Sequence, residues 1–215
     1  MGFFIGVGLT ILGIAAKAAA AVKIVAASLK VAVVAIPKML PTIFMIYELL
    51  KELGLLKENE KPEKIGDKCK QAEEAGIDRT KFDKFEEYEK AIREFKLDPE
   101  KSKNISTDEK YRYALGFYSM MVEEKLKNKF DDFVKFAKCL TTSDDLKVFS
   151  KEIYETFREK DLPLGKIDNF FNKNLKTSED IAIEKALVEA IQKKEPEKSR
   201  DEILYEFQEM KKAGE

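Results

Sequence analysis

The sequence predicts an all-α protein in which an N-terminal apolar, transmembrane-type helix or helical hairpin is followed by a soluble multi-helix domain. Three observations predict it. The first fifty residues are apolar with few interruptions. The remainder repeats apolar side chains every three or four positions, with almost no alternating, strand-like stretch. Finally, four predicted helix starts carry a hydroxyl residue three positions before an acid. In that pattern the hydroxyl caps the first amides of a helix and the acid reaches back. The chain therefore divides into a membrane or oligomerisation segment at 1–50, a charged linker at 51–65 and a helical domain at 66–215.

In the first segment Lys17, Lys23, Lys30 and Lys38 are the only charged side chains before Glu48. Crossing the hydrocarbon core takes ~20 helical residues, so residues 2–22 and 24–47 are each long enough for one span. Lysines facing lipid cost roughly 2.5–3.5 kcal/mol each, which makes their phase decisive. At about 100° per residue, Thr10, Lys17, Lys23, Ser28, Lys30, Lys38 and Thr42 fall within one arc of about 160°. A helix holding that phase carries a cationic stripe opposite an apolar face, up to the point where Pro37 and Pro41 bend or interrupt it. Gly2-x-x-x-Gly6 is the small-residue spacing that lets helices approach closely in lipid, and Gly13 and the alanines at 15–21 continue the slim surface. The expectation is that copies pack through Gly2, Gly6 and Gly13 and turn Lys17, Lys23, Lys30 and Lys38 toward a shared aqueous lumen.

Other readings of this segment fit less of it. A secretory signal peptide carries its basic region before the apolar run, whereas Lys17 follows it. N-myristoylation needs Ser or Thr at position 6, where Gly6 stands. A simple anchor with snorkelling lysines and an apolar helix packed in a filament or tube outside the membrane stay open as alternatives. In composition the segment is similar to the helices of pore-forming bacteriocins and conjugative pilins. A bacterial defence effector or a phage-type membrane channel would fit this expectation.

After residue 50 a lysine-rich run, from Lys51 to Lys70, places the C-terminal part in the cytoplasm by the positive-inside rule. Two cysteines, Cys69 and Cys139, without a C-x-x-C spacing, agree with a reducing compartment. Gly54 and Pro62 mark the linker. Phe82, Phe85, Tyr88, Ile92 and Phe95 predict a helix over 81–96, ended by Pro99. A longer helix is predicted over 108–140, with Tyr111, Leu115, Tyr118, Val122, Leu126, Phe130 and Phe133 at near-helical spacing. Pro163, Leu164 and Gly165 break the chain before a unit at 166–172. Pro196 sets off a last helix whose Ile203, Leu204, Phe207 and Met210 share one side. The expected capping pairs are Ser106 with Glu109, Thr142 with Asp145, Thr177 with Asp180, and Ser199 with Glu202.

The chain contains no histidine and no tryptophan. That removes Ser-His-Asp and Cys-His nucleophiles, imidazole metal sites and a histidine base. Phosphate-binding loops, dinucleotide fingerprints and calcium loops are also missing from the sequence. Of the 168 residues from 48 onward, 35 are basic and 40 acidic. Acid pairs such as Glu86-Glu87, Glu123-Glu124, Asp131-Asp132 and Asp144-Asp145 therefore read as solvated faces or caps. Interleaved acids argue against a nucleic-acid partner. The sequence predicts no catalytic, cofactor-binding or metal-binding residue and no cofactor. Its expected partners are a lipid bilayer, further copies of itself and a protein partner for the helical domain.

Overall fold

A computed structural model describes residues 36–172 and 177–213, and every regular element among them is helical. The candidate residues Gly2, Gly6, Gly13, Lys17, Lys23 and Lys30 lie outside the described residues.

The first described helix, α1 (Ile36–Glu52), runs through Pro41 without a break. The helix is not interrupted at Pro41, and the chain before Ile36 lies outside the described residues. Ile43, Ile46, Leu49 and Leu50 repeat every three or four positions and are fully buried. Gly54 at φ 73° ends the helix, with its amide bonded to the Lys51 carbonyl (2.9 Å) and the Leu55 amide to that of Leu50 (2.8 Å). Such a left-handed turn suits a residue without Cβ. The boundary expected at residue 50 thus falls within α1, and the described part of the apolar segment, 36–50, is built into the folded helices. Among the described residues no helix is long and apolar enough to cross a membrane.

Two compact units follow, the first from 59–127 with the initial turn of α1, the second from 41–58 and 128–213. In the first, α2 (Pro62–Glu74) packs along α5 (Thr107–Lys125), and α3 (Phe85–Glu94) lies against both. The α2 and α5 helices run antiparallel, since Tyr118 reaches the Glu60 carbonyl at one end and Lys70 pairs with Glu109 at the other. Every residue of α5 from 114 to 122 is buried. Phe117 in its centre meets Phe85 (centroids 5.9 Å apart) and Tyr88 (6.3 Å) of α3 at tilted angles that suit aromatic pairs. Asp98 caps the short α4 (Pro99–Asn104), and Ser106 caps α5 through the Glu109 amide (3.2 Å), as the sequence predicts.

The helix predicted over 108–140 is two helices. α5 stops at Lys125 because Lys127 takes a left-handed φ of 56°, and α6 (Phe130–Thr141) starts in the second unit. α7 (Asp144–Val148) is capped by Ser143 rather than by the expected Thr142. The Thr142 hydroxyl instead donates back to the Cys139 carbonyl (2.8 Å) and closes α6. α8 (Ser150–Glu159) packs on α10 (Thr177–Lys194), and α9 (Lys166–Phe171) touches α6, α10 and α11 (Arg200–Ala213). Phe170, Phe171 and Phe207 form an edge-to-face triad with centroids 5.0–5.9 Å apart, and the Lys211 ammonium sits 3.4 Å over Phe170. Ile203 and Phe207 are buried within this unit, so the apolar side of the last helix is core. Ser199 and Glu202 form the expected reciprocal cap, with the Ser199 amide donating to the carboxylate (2.9 Å) and the Glu202 amide to the hydroxyl (3.3 Å).

Candidate functional site

The densest polar structure in the first unit lies where α2 crosses α5. Gly66 sets the approach. A Cβ built there would stand 1.7 Å from the Lys110 carbonyl oxygen, so only glycine fits between the two backbones. One residue on, the buried carboxylate of Asp67 accepts from the Lys110 ammonium (3.2 Å) and from the Gln71 amide nitrogen (2.8 Å). Gln71, itself buried, also donates to the Ser102 hydroxyl (3.0 Å), while its oxygen accepts from the Asp98 amide (2.9 Å). This one side chain links α2 to the N-cap residue and to the middle of α4. Low dielectric strengthens such a network when its members are satisfied.

A second cluster joins the other end of α2 to α3 and α5. The buried Glu89 carboxylate faces Arg93 (2.9 Å) and Lys125, and Arg93 also reaches Glu60 (3.3 Å). Lys68 donates to the Arg93 backbone carbonyl. The carboxylate is nearly dry, whereas the two cations keep about a quarter of their surface in water, at 26% for Arg93 and 24% for Lys125. The arrangement desolvates one negative charge and surrounds it with positive ones. Its effect is to clamp three helices, with the charges spent on each other.

Both cysteines are buried and unpaired with each other. Burial pushes both thiols up, and Cys139, with the Asp168 carboxylate nearby as a lesser cause, is pushed up to about 12. Cys69 additionally shares a hydrogen bond with the Tyr88 hydroxyl, a smaller effect in the opposite direction. The thiolate is the reactive form, so the folded protein is expected to resist iodoacetamide at neutral pH and to take two equivalents once unfolded in urea. A raised folded-state value favours the protonated thiol. Stability is therefore complete below the ordinary value of 9.0 and declines as pH rises from there through about 12. Urea midpoints across this range check it, with a shallower decline expected for Cys139→Ala.

In the second unit an open hollow forms at the α10–α11 turn, lined by Lys194, Glu195, Lys198, Glu202 and Glu206. Lys198 is held by Glu206 (2.8 Å) and Glu195 (3.5 Å), and Lys194 donates to the Val148 carbonyl (2.6 Å), so its charges pair locally. Among the described residues no group of three or more Cys, Asp or Glu is placed to hold a metal ion.

Of the residues predicted to line a pore, only Lys38 is described. It is exposed in the first turn of α1. Thr42, one turn on, is 8% exposed, so the polar stripe projected along the apolar segment does not continue as an open surface into α1. The sequence did not single out Gly66, Asp67, Gln71 or Glu89. The one signal that marks any of them is a glycine inside an otherwise strongly helical, charged stretch. No known protein family, curated protein or solved structure matches this chain.

Proposed function

We propose that this chain is a membrane-associated, non-enzymatic protein that oligomerises through its N-terminal Gly/Ala/Lys segment to form a pore or channel, and that the helical part governs that assembly. The observation that carries the reading is the continuity of the apolar, acid-free sequence into α1. An apolar, acid-free stretch of 35 residues leads directly into α1, whose inner face, through Ile43, Ile46 and Leu49, is core. No charged linker separates the two, so a shift of the apolar segment acts on packed side chains. The Gly2, Gly6 and Gly13 spacing supports association in lipid, and the common phase of Lys17, Lys23, Lys30 and Lys38 supports a hydrated, cationic lumen, since lysines are costly against lipid. In this reading the bilayer and further copies of the chain are its partners, and residues after 52 lie on the cytoplasmic side.

Dye release from vesicles by the full chain tests it. The wild type is expected to release dye, and the double variant Lys23→Glu, Lys30→Glu to lose most of that activity. Equal release from both removes the lysine-lined lumen. Release from neither removes the pore.

A further inference from the structure

Charge on α2 is sorted by face. At about 100° per residue, Lys61 at the N-cap, Lys64 and Lys68 lie within one arc of about 60°, and the exposed acids Glu63, Glu73 and Glu74 lie in a second arc at least about 80° away. Lys70, on the acidic side, is held by Glu74 and Glu109 at 3.3 Å each. Among the described residues no carboxylate stands within ion-pairing distance of Lys61, Lys64 or Lys68. Lys61 and Lys64 are exposed, and the half-buried Lys68 donates to the Arg93 carbonyl at the end of α3. Burial, and after it the like charge of Lys64, hold the Lys68 ammonium below the usual lysine range. Glu60, whose charge acts the other way on Lys68, is bound to Arg93 at 3.3 Å. Elsewhere in this unit Lys110 and Lys125 meet buried carboxylates. Three lysines gathered on one face without an acid leave a local positive field, although the chain as a whole balances 39 basic against 40 acidic side chains.

We propose that the Lys61–Lys64–Lys68 face of α2 docks on an anionic lipid surface. This rests on the membrane reading above and adds which face of the folded protein lies against the headgroups. Two observations favour lipid as the anion. The initial turn of α1, into which residues 1–35 lead, belongs to the same compact unit as α2, so an apolar segment held in a bilayer brings this unit to the membrane. The cations are also lysines, point charges on flexible stems, with no guanidinium fork among them. Such charges need no shaped pocket, and lysines near an anionic leaflet add to one another's attraction within a Debye length of the surface.

Lysine acetylation by a membrane-impermeant reagent, read by mass spectrometry, tests the face in the full chain. The chain is acetylated alone, with phosphatidylcholine vesicles and with phosphatidylcholine–phosphatidylglycerol vesicles, and flotation checks attachment in each case. Lys151 on α8 and Lys185 on α10, both exposed, are the references. The expected result is flotation together with a drop of about fivefold in acetylation at Lys61 and Lys64 on phosphatidylglycerol vesicles. The references keep their reactivity, and high salt restores that of Lys61 and Lys64. Flotation with Lys61 and Lys64 as reactive as without lipid overturns the docking face and leaves the membrane reading standing. Equal protection by phosphatidylcholine alone overturns the anionic partner. Protection by soluble glycerol phosphate without vesicles assigns the face to a free anion, and protection that needs no lipid and grows with protein concentration assigns it to a second copy. Either overturns the proposal. Failure to float with both vesicles overturns the membrane reading itself.

Discussion

Gly66→Ala is expected to destabilise the protein by about 3 kcal/mol, at the upper end of overpacking costs. The direction is the informative part. In an exposed helix interior, alanine is better than glycine by roughly 1 kcal/mol, so the ordinary effect of this change is to stabilise. Here the new Cβ would stand 1.7 Å from the Lys110 carbonyl oxygen and 2.5 Å from its carbon. Those are backbone atoms of a buried helix, and no side-chain rotamer can move them aside. Relief requires α2 and α5 to separate, which lengthens the Lys110–Asp67 pair and loosens the Asp67–Gln71–Ser102 chain beside it. Urea unfolding measures the difference. A variant as stable as the wild type would mean that the two backbones do not approach at this point.

Glu89→Ala is the second large effect, also expected to cost about 3 kcal/mol, at the low end of what breaking a buried ion pair costs. The reason for the low end is structural. Arg93 and Lys125 keep about a quarter of their surface in water and can turn outward when the carboxylate is gone, and Arg93 retains Glu60 at 3.3 Å. Part of the loss is therefore the desolvation of the cations left behind rather than the attraction itself. The double variant Glu89→Leu, Lys125→Met removes one of the two cations and leaves Arg93 with Glu60, and it is expected to recover part of the stability, a non-additivity that a double-mutant cycle isolates. A single-variant loss below about 1 kcal/mol, the range of exposed pairs, would place this cluster in solvent.

What the sequence made legible follows from local rules. Ser106 and Ser199 cap where a hydroxyl three residues before an acid predicts, and Pro99 and Pro196 break the chain as expected. Phe85, Tyr88, Phe133 and Phe207 are core, as aromatic side chains at helical spacing should be. The errors share a cause in tertiary packing. The apolar periodicity runs through Leu126 to Phe130 without a glycine or proline, so nothing local announces that Lys127 turns left-handed and splits one helix into two. At Thr142 and Ser143 two adjacent hydroxyls compete. The sequence favours the first, because an acid stands three positions on, while the structure uses it to end α6 and gives the cap to the second.

The polar seam was illegible for a different reason. Where nearly every second side chain is charged, Asp67 and Glu89 look like their solvated neighbours, and only the approach of Lys110, Lys125 and Arg93 from other helices distinguishes them. Hydropathy has the converse weakness at α1. It scores Ile43, Ile46 and Leu49 as lipid-compatible, and these side chains are satisfied by a protein core. The described part of the apolar segment, from Ile36 onward, is thus built into the folded helices.

The most direct test is the mass of the full chain taken from membranes in mild detergent and released from it in the gas phase. A defined assembly of several copies, at a fixed multiple of the 24.6 kDa chain, is the predicted result. A single 24.6 kDa species would contradict an assembly built through Gly2, Gly6 and Gly13 and leave the apolar segment as an anchor.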